Sequence, residues 1–210
     1  CNAIPTATVI ALLIFSLLFP LQMMADRLSE EDKKEMQDRV RYKVEEFQNY
    51  LSSIVNTNLS NAQRKASISS ALDLFIGSGE EYVINEDGYE RLHKGVRMQV
   101  SSVTRGSKYW EPMKSYLNRQ YANVRRYSKV VIDYADAVRV DNITQTPDGR
   151  YEAAAYFCQR YIGYSDGRIK YGDITTKKVK VYIDPLNTPK GIIWDIKLGD
   201  VYVTETEALN

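Results

Sequence analysis

Histidine and cysteine are almost missing from this chain of 210 residues: one histidine, His93, and two cysteines, Cys1 and Cys158. Zinc chemistry draws on clusters of these side chains, and His93 has no Cys or His neighbour, so no metal site is expected. Two cysteines so far apart give no disulfide framework. Cys158, inside Tyr156-Phe157-Cys158-Gln159, reads as a small hydrophobe within a strand. A charge surplus is missing too. Lys+Arg 28 against Asp+Glu 27 leaves a formal net charge of +1, which removes the usual electrostatic argument for nucleic acid. There is no Gly-rich phosphate loop, no G-x-S-x-G, no H-E-x-x-H, no paired C-x-x-C and no EF-hand loop. No cofactor is expected.

What the chain does have is tyrosine, sixteen of them, a residue suited to half-buried sheets and to binding surfaces. It also has one long apolar run. Residues 3–25 carry no charge and read as a signal peptide or a membrane anchor, with lipid attachment at Cys1 as a third alternative. Each of the three exports the domain, to the periplasm or to the cell envelope. Membrane contact is expected only through residues 3–25, if they are retained.

Ser29-Glu30-Glu31-Asp32 supplies a hydroxyl cap and first-turn carboxylates, a helix start. Met36, Val40, Val44, Phe47, Leu51, Ile54 and Val55 then follow at spacings of three and four, one buried stripe. A second helix from Asn58 or Ser60 is expected to turn Ala62, Ala66, Leu72, Phe75 and Ile76 inward and to end at Gly77-Ser78-Gly79. Residues 80–95 read as a loop with a short extended piece, and residues 96–101 alternate as a strand. A third helix is expected over 107–126, with Pro112 in its first turn and Trp110, Met113, Leu117, Tyr121 and Val124 inward.

From 127 to 204 the pattern becomes four long strands, separated by Pro-Asp-Gly at 147–149, Ser-Asp-Gly at 165–167 and a proline-rich link at 185–191. Short turns favour an antiparallel meander. Ala135-Asp136-Ala137 interrupts the first strand as a bulge would. The second strand is apolar on both faces and should be central. Lys177, Lys178 and Lys180 are assigned to a solvent face or edge. The fold class is therefore α+β: helices packed on a curved antiparallel sheet of four to five long strands. One domain is expected over 26–204, with a flexible tail at 205–210.

That order of elements resembles the nuclear transport factor 2-like superfamily, a cystatin-like α+β cone in which a curved sheet wraps helices. It also resembles the periplasmic domain of conjugative secretion assembly proteins. The resemblance implies a cone, and pattern alone offers Trp110, Tyr134, Tyr156 and Trp194 to line it, with Asp136 as a possible buried base. Tyr161, Tyr164 and Tyr171, around the Ser-Asp-Gly turn, are candidates for a surface that binds sugars or a protein. The first reading is an exported, non-enzymatic bacterial envelope protein that binds a protein partner or small ligand. It expects a filled cavity, or one without a polarised carboxylate. The alternatives are a membrane-anchored subunit of a secretion or conjugation complex and a small isomerase or cyclase using an acid such as Asp136. A homodimer through the open sheet face is a further expectation.

Overall fold

The computed structural model describes residues 28–209 except Asp87. The apolar run at 3–25 lies outside the described residues, and among those described no helix is long and apolar enough to cross a membrane. The architecture is α+β. Helix α1 spans Glu30–Val55, α2 Asn61–Asp73 and α3 Met113–Asn123. The strands are β1 Tyr82–Glu86, β2 Tyr89–His93, β3 Arg97–Val100, β4 Tyr109–Pro112, β5 Lys129–Tyr134, β6 Arg139–Val140, β7 Thr144–Gln145, β8 Tyr151–Ser165, β9 Arg168–Thr188 and β10 Gly191–Ala208.

The start of α1 follows the cap read from sequence, and of the two starts offered for α2 the structure takes Ser60. Ser29 and Asp32 form a reciprocal capping box on α1, and Ser60 and Gln63 do the same on α2. The α1 stripe is buried from Met36 to Val55 as its spacing requires. Phe47 sits at its centre, edge-on to Phe75 at 5.0 Å and to Phe157 at 6.4 Å. Burying one such ring contributes about 2–3 kcal/mol. Polar side chains of α1 fasten it to the sheet's backbone: Ser52 Oγ donates to the Ile132 carbonyl at 2.7 Å and Arg39 Nη2 to that of Trp194 at 2.9 Å.

α2 turns a different face inward than its alanines suggested. Ala62 and Ala66 are exposed, and Arg64, Ile68, Ala71 and Leu72 are buried. The third helix starts later than expected. Residues 109–112 form β4, hydrogen-bonded to β3, and Pro112 is the cap rather than a first-turn residue. The expected loop at 80–95 contains a hairpin, β1 with β2, in which His93 stacks on Tyr82 at 4.9 Å.

The main sheet runs β4-β3-β10-β9-β8-β5, with the short β6 and β7 also pairing β8. β5, β8, β9 and β10 form the expected antiparallel meander, and β10 makes parallel contacts with β3, at Val201 and Met98, and with Phe75, at Leu198. Residues 205–208, expected in a tail, pair with β9 as the end of β10, and the Leu209 amide donates to the Gly172 carbonyl. Between β5 and β6 four residues, 135–138, stand opposite two on β8, the interruption the Ala-Asp-Ala sequence indicated. Helices α1 and α3 cover one face of this sheet.

Candidate functional site

The inner face of the sheet changes character along its length. On β9, Val179, Val181 and Ile183 point into the core, and the same alternation carried back places Lys177, Thr175 and Asp173 on that same face. On β8, Tyr151, Ala155 and Phe157 are followed in phase by Gln159 and Tyr161. Cross-strand register sets Phe157 beside Lys177, Gln159 beside Thr175 and Tyr161 beside Asp173. The apolar half is sealed by α1. The polar half forms the floor of a cleft of about 440 Å³, roofed by α3 and by the β3–β4 connection. That volume is within the range of small-molecule sites.

Lys177 is only 4 % exposed. Its Nζ contacts Met98 Sδ at 3.5 Å and lies 5.8 Å from the centre of the Tyr116 ring. Among the described residues no carboxylate reaches salt-bridge distance. Burial pushes its ammonium down to about 8, partly offset by the charge of Asp173. Asp173, 6 % exposed, is pushed up by the same desolvation and held back by a hydrogen bond from Tyr171 and the charge of Lys177. Tyr171 is itself pushed up to about 12, chiefly by burial, and shares its hydroxyl with Ser102 at 2.8 Å.

Across the cleft, α3 presents Tyr116, Arg119 and Gln120. Arg119 is held by Glu111 of β4. Gln159, 5 % exposed, donates from Nε2 to Tyr116 Oη at 3.4 Å, and its Oε1 has no partner. One amide carries only one donor end and one acceptor end, so turning it over would leave the other end free. Together, a buried cation, a desolvated acid and a half-satisfied amide at the floor of a cleft can bind a polar molecule or exchange a proton with it.

Tyr127 forms the end wall. Its ring lies so close to the backbone of Gly163 that a Cβ there would come within 2.7 Å of it. A Gly163→Ala substitution should therefore displace the ring and cost about 1–3 kcal/mol in urea denaturation. Much of that loss should disappear in the Tyr127→Ala background, because the two residues share one contact. Simple additivity of the two changes would contradict this packing.

Of the eight sequence candidates, Tyr161 and Tyr171 line this cleft, with rings 5.9 Å apart. The other six do not. Tyr164 stands near the β8–β9 turn beside Lys129. Trp110, on β4, meets Tyr202 and the Arg97 guanidinium on the outer face. Tyr156 is on that face as well, 4.0 Å from Arg139. Tyr134 faces inward, but its hydroxyl donates to the Gln48 carbonyl at 2.8 Å, which makes it part of the α1 packing. Trp194 packs edge-on against Tyr151 beside α1. Asp136 is exposed in the interruption after β5 and cannot serve as a buried base.

Two further expectations change. Lys178 and Lys180 lie on the outer face, but Lys177 is one of the most buried polar residues. The cleft is open and does hold a desolvated carboxylate, that of Asp173. The missed residues were Asp173, Lys177, Gln159 and Tyr116. Parity could have found three of them: Asp173 and Lys177 share the odd-numbered phase of Val179 and Ile183, and Gln159 that of Phe157. Among the described residues no cluster of His, Cys, Asp and Glu could hold a metal. Compared with known families, curated proteins and solved structures, the chain shows no match.

Proposed function

We propose that this chain is an exported, non-enzymatic binding protein whose α+β domain is a cone of the nuclear transport factor 2-like kind, and that it holds a small polar ligand in the cleft over Lys177 and Asp173. The observation that carries this reading is the switch of the inner sheet face from apolar to polar. A structural core gains nothing from a lysine and an aspartate at these positions, and both are held there against their desolvation. Residues 3–25, an uncharged apolar run, support export, with the domain in the periplasm or on the envelope. The outer face, with Trp110, Tyr156 and Tyr202, is the candidate surface for a protein partner or a second copy of the chain.

A second reading, a small enzyme working by proton transfer, is favoured by one specific feature. The Tyr171–Asp173 pair shares the cleft with an amine whose pKa lies about a unit above neutrality. It requires turnover, whereas the binding reading requires only occupancy.

A soluble fragment set of mixed charge, followed by amide and side-chain NMR shifts, tests the reading. Bound fragments should concentrate their shifts on Tyr116, Gln159, Thr175 and Lys177. Shifts that fall instead on the outer face around Tyr156 and Tyr202, with the cleft silent, would remove it.

A further inference from the structure

We infer that the ligand of this cleft is a small carboxylate with a planar body and a hydrogen-bonding group, with Lys177 as its counter-ion. The inference rests on the binding reading above and narrows its ligand to one chemical class. Four cationic side chains line the cleft, Arg105, Arg119, Arg126 and Lys177, against one acid among its described lining residues, Asp173. Arg119 is already paired with Glu111. Lys177 is the buried cation left facing a thioether and an aromatic ring, neither of which replaces the water it has lost. An anion brought to Nζ would supply the missing partner in a site where water competes poorly.

The rest of the cleft limits what that anion can be. One buried ammonium and one free amide end match a singly charged group with one hydrogen-bonding neighbour. A phosphate dianion would call for more donors than the floor offers. Gln159 holds the unpartnered amide end two residues along β8 from Phe157, the cross-strand neighbour of Lys177. The walls are rings: Tyr127 packs edge-on to Tyr161 at 6.5 Å and Tyr161 edge-on to Tyr171 at 5.9 Å. Such a row accepts a flat ring by stacking or edge contact.

Occupancy should also move protons. The groups facing Lys177 are Asp173 on its own strand, Tyr116 and Arg119 of α3, and Glu111 of β4. A carboxylate arriving among them favours the charged amine and draws a proton onto it near pH 8.

The test is titration calorimetry with 4-hydroxybenzoate, its neutral amide 4-hydroxybenzamide, and inorganic phosphate, on the full chain and on Lys177→Met and Lys177→Arg. The benzoate should bind, the amide at least about tenfold more weakly. Lys177→Met should lose the benzoate and Lys177→Arg keep part of it. At pH 8 the binding heat should vary with the buffer's ionisation enthalpy, and that variation should vanish in Lys177→Met. Equal binding of benzoate and benzamide overturns the charge assignment and leaves the cleft reading standing. Tighter binding of phosphate, undiminished binding to Lys177→Met, or no benzoate binding at millimolar concentration each overturns the inference. The mixed-charge fragment survey separately decides whether the cleft binds anything at all.

Discussion

Replacing Lys177 with methionine should make the folded chain more stable at pH 7, by roughly 2–3 kcal/mol in urea denaturation. The gap between about 8 in the fold and the ordinary 10.5 corresponds to roughly 3 kcal/mol of penalty on the charged amine. Methionine has similar length and would meet Met98 and the Tyr116 ring with no charge to desolvate. The pH dependence gives the same variant a second readout. Below pH 8 folded and unfolded chains both carry the proton, and the full penalty is present. Between pH 8 and 10.5 the folded chain releases a proton that the unfolded chain keeps, so stability rises with pH across that window. Above about pH 10 the buried tyrosines reverse the trend. Tyr116, Tyr161, Tyr171 and Tyr182 are raised above their ordinary 10.0, chiefly by burial, so the unfolded chain gives up protons that the fold retains. The natural chain should show a stability maximum near pH 10. Lys177→Met should lose most of the rise, keeping the part that Lys43, also lowered by burial, contributes, and should keep the fall. A variant destabilised at pH 7 would show that the ammonium is structural, and the case for a ligand would lose its basis.

Arg64→Met should act in the opposite direction, costing about 3 kcal/mol in the same assay. Arg64 is 5 % exposed, and its partners are backbone rather than carboxylate. Nε donates to the Ile54 carbonyl at 2.7 Å and Nη2 to the Tyr121 carbonyl at 2.9 Å, with the guanidinium 4.3 Å from the centre of the Tyr121 ring. Ile54 and Tyr121 lie in the last turns of α1 and α3, where carbonyls have no partner within the helix. Neither turn has a basic residue of its own. One side chain of α2 therefore compensates the negative ends of two other helices. Arg64→Lys should recover only part of the loss, because an ammonium lacks the fork that spans both carbonyls. If the methionine variant unfolds within about 0.5 kcal/mol of the natural chain, water is satisfying those carbonyls.

Local signals were readable from residues: the serine cap of α1, the α1 stripe and the meander. Each depends on neighbours within a few positions. The start of α3 was not, because Trp110 and Met113 stand at helical spacing while residues 109–112 pair with a strand. Arg64 could not be read either, since its two carbonyls come from helices that meet only in three dimensions. Lys177 is a different case. Its phase is visible, but three lysines between 177 and 180 also fit a wet edge, and charge and parity there point opposite ways. Asp136 failed for the converse reason: a bulge marks where a sheet bends, and the residue in it can still point to water.

The parallel contact of β3 with β10 bears on the order of assembly. Arg97 and Asp200 join these strands, from the amide at 2.7 Å and the guanidinium at 2.6 Å, across 103 positions of sequence. The β3–β4 connection that roofs the cleft is thus anchored by β10, the last of the described strands. Pairings that distant form slowly, because the loop must close before any contact rewards it. A chain emerging from a ribosome can build α1, α2 and the β8–β9 hairpin first. The cleft exists only once β10 has come out, so a chain still in transit lacks it, and a truncation before Val201 leaves β3 and β4 without their partner strand.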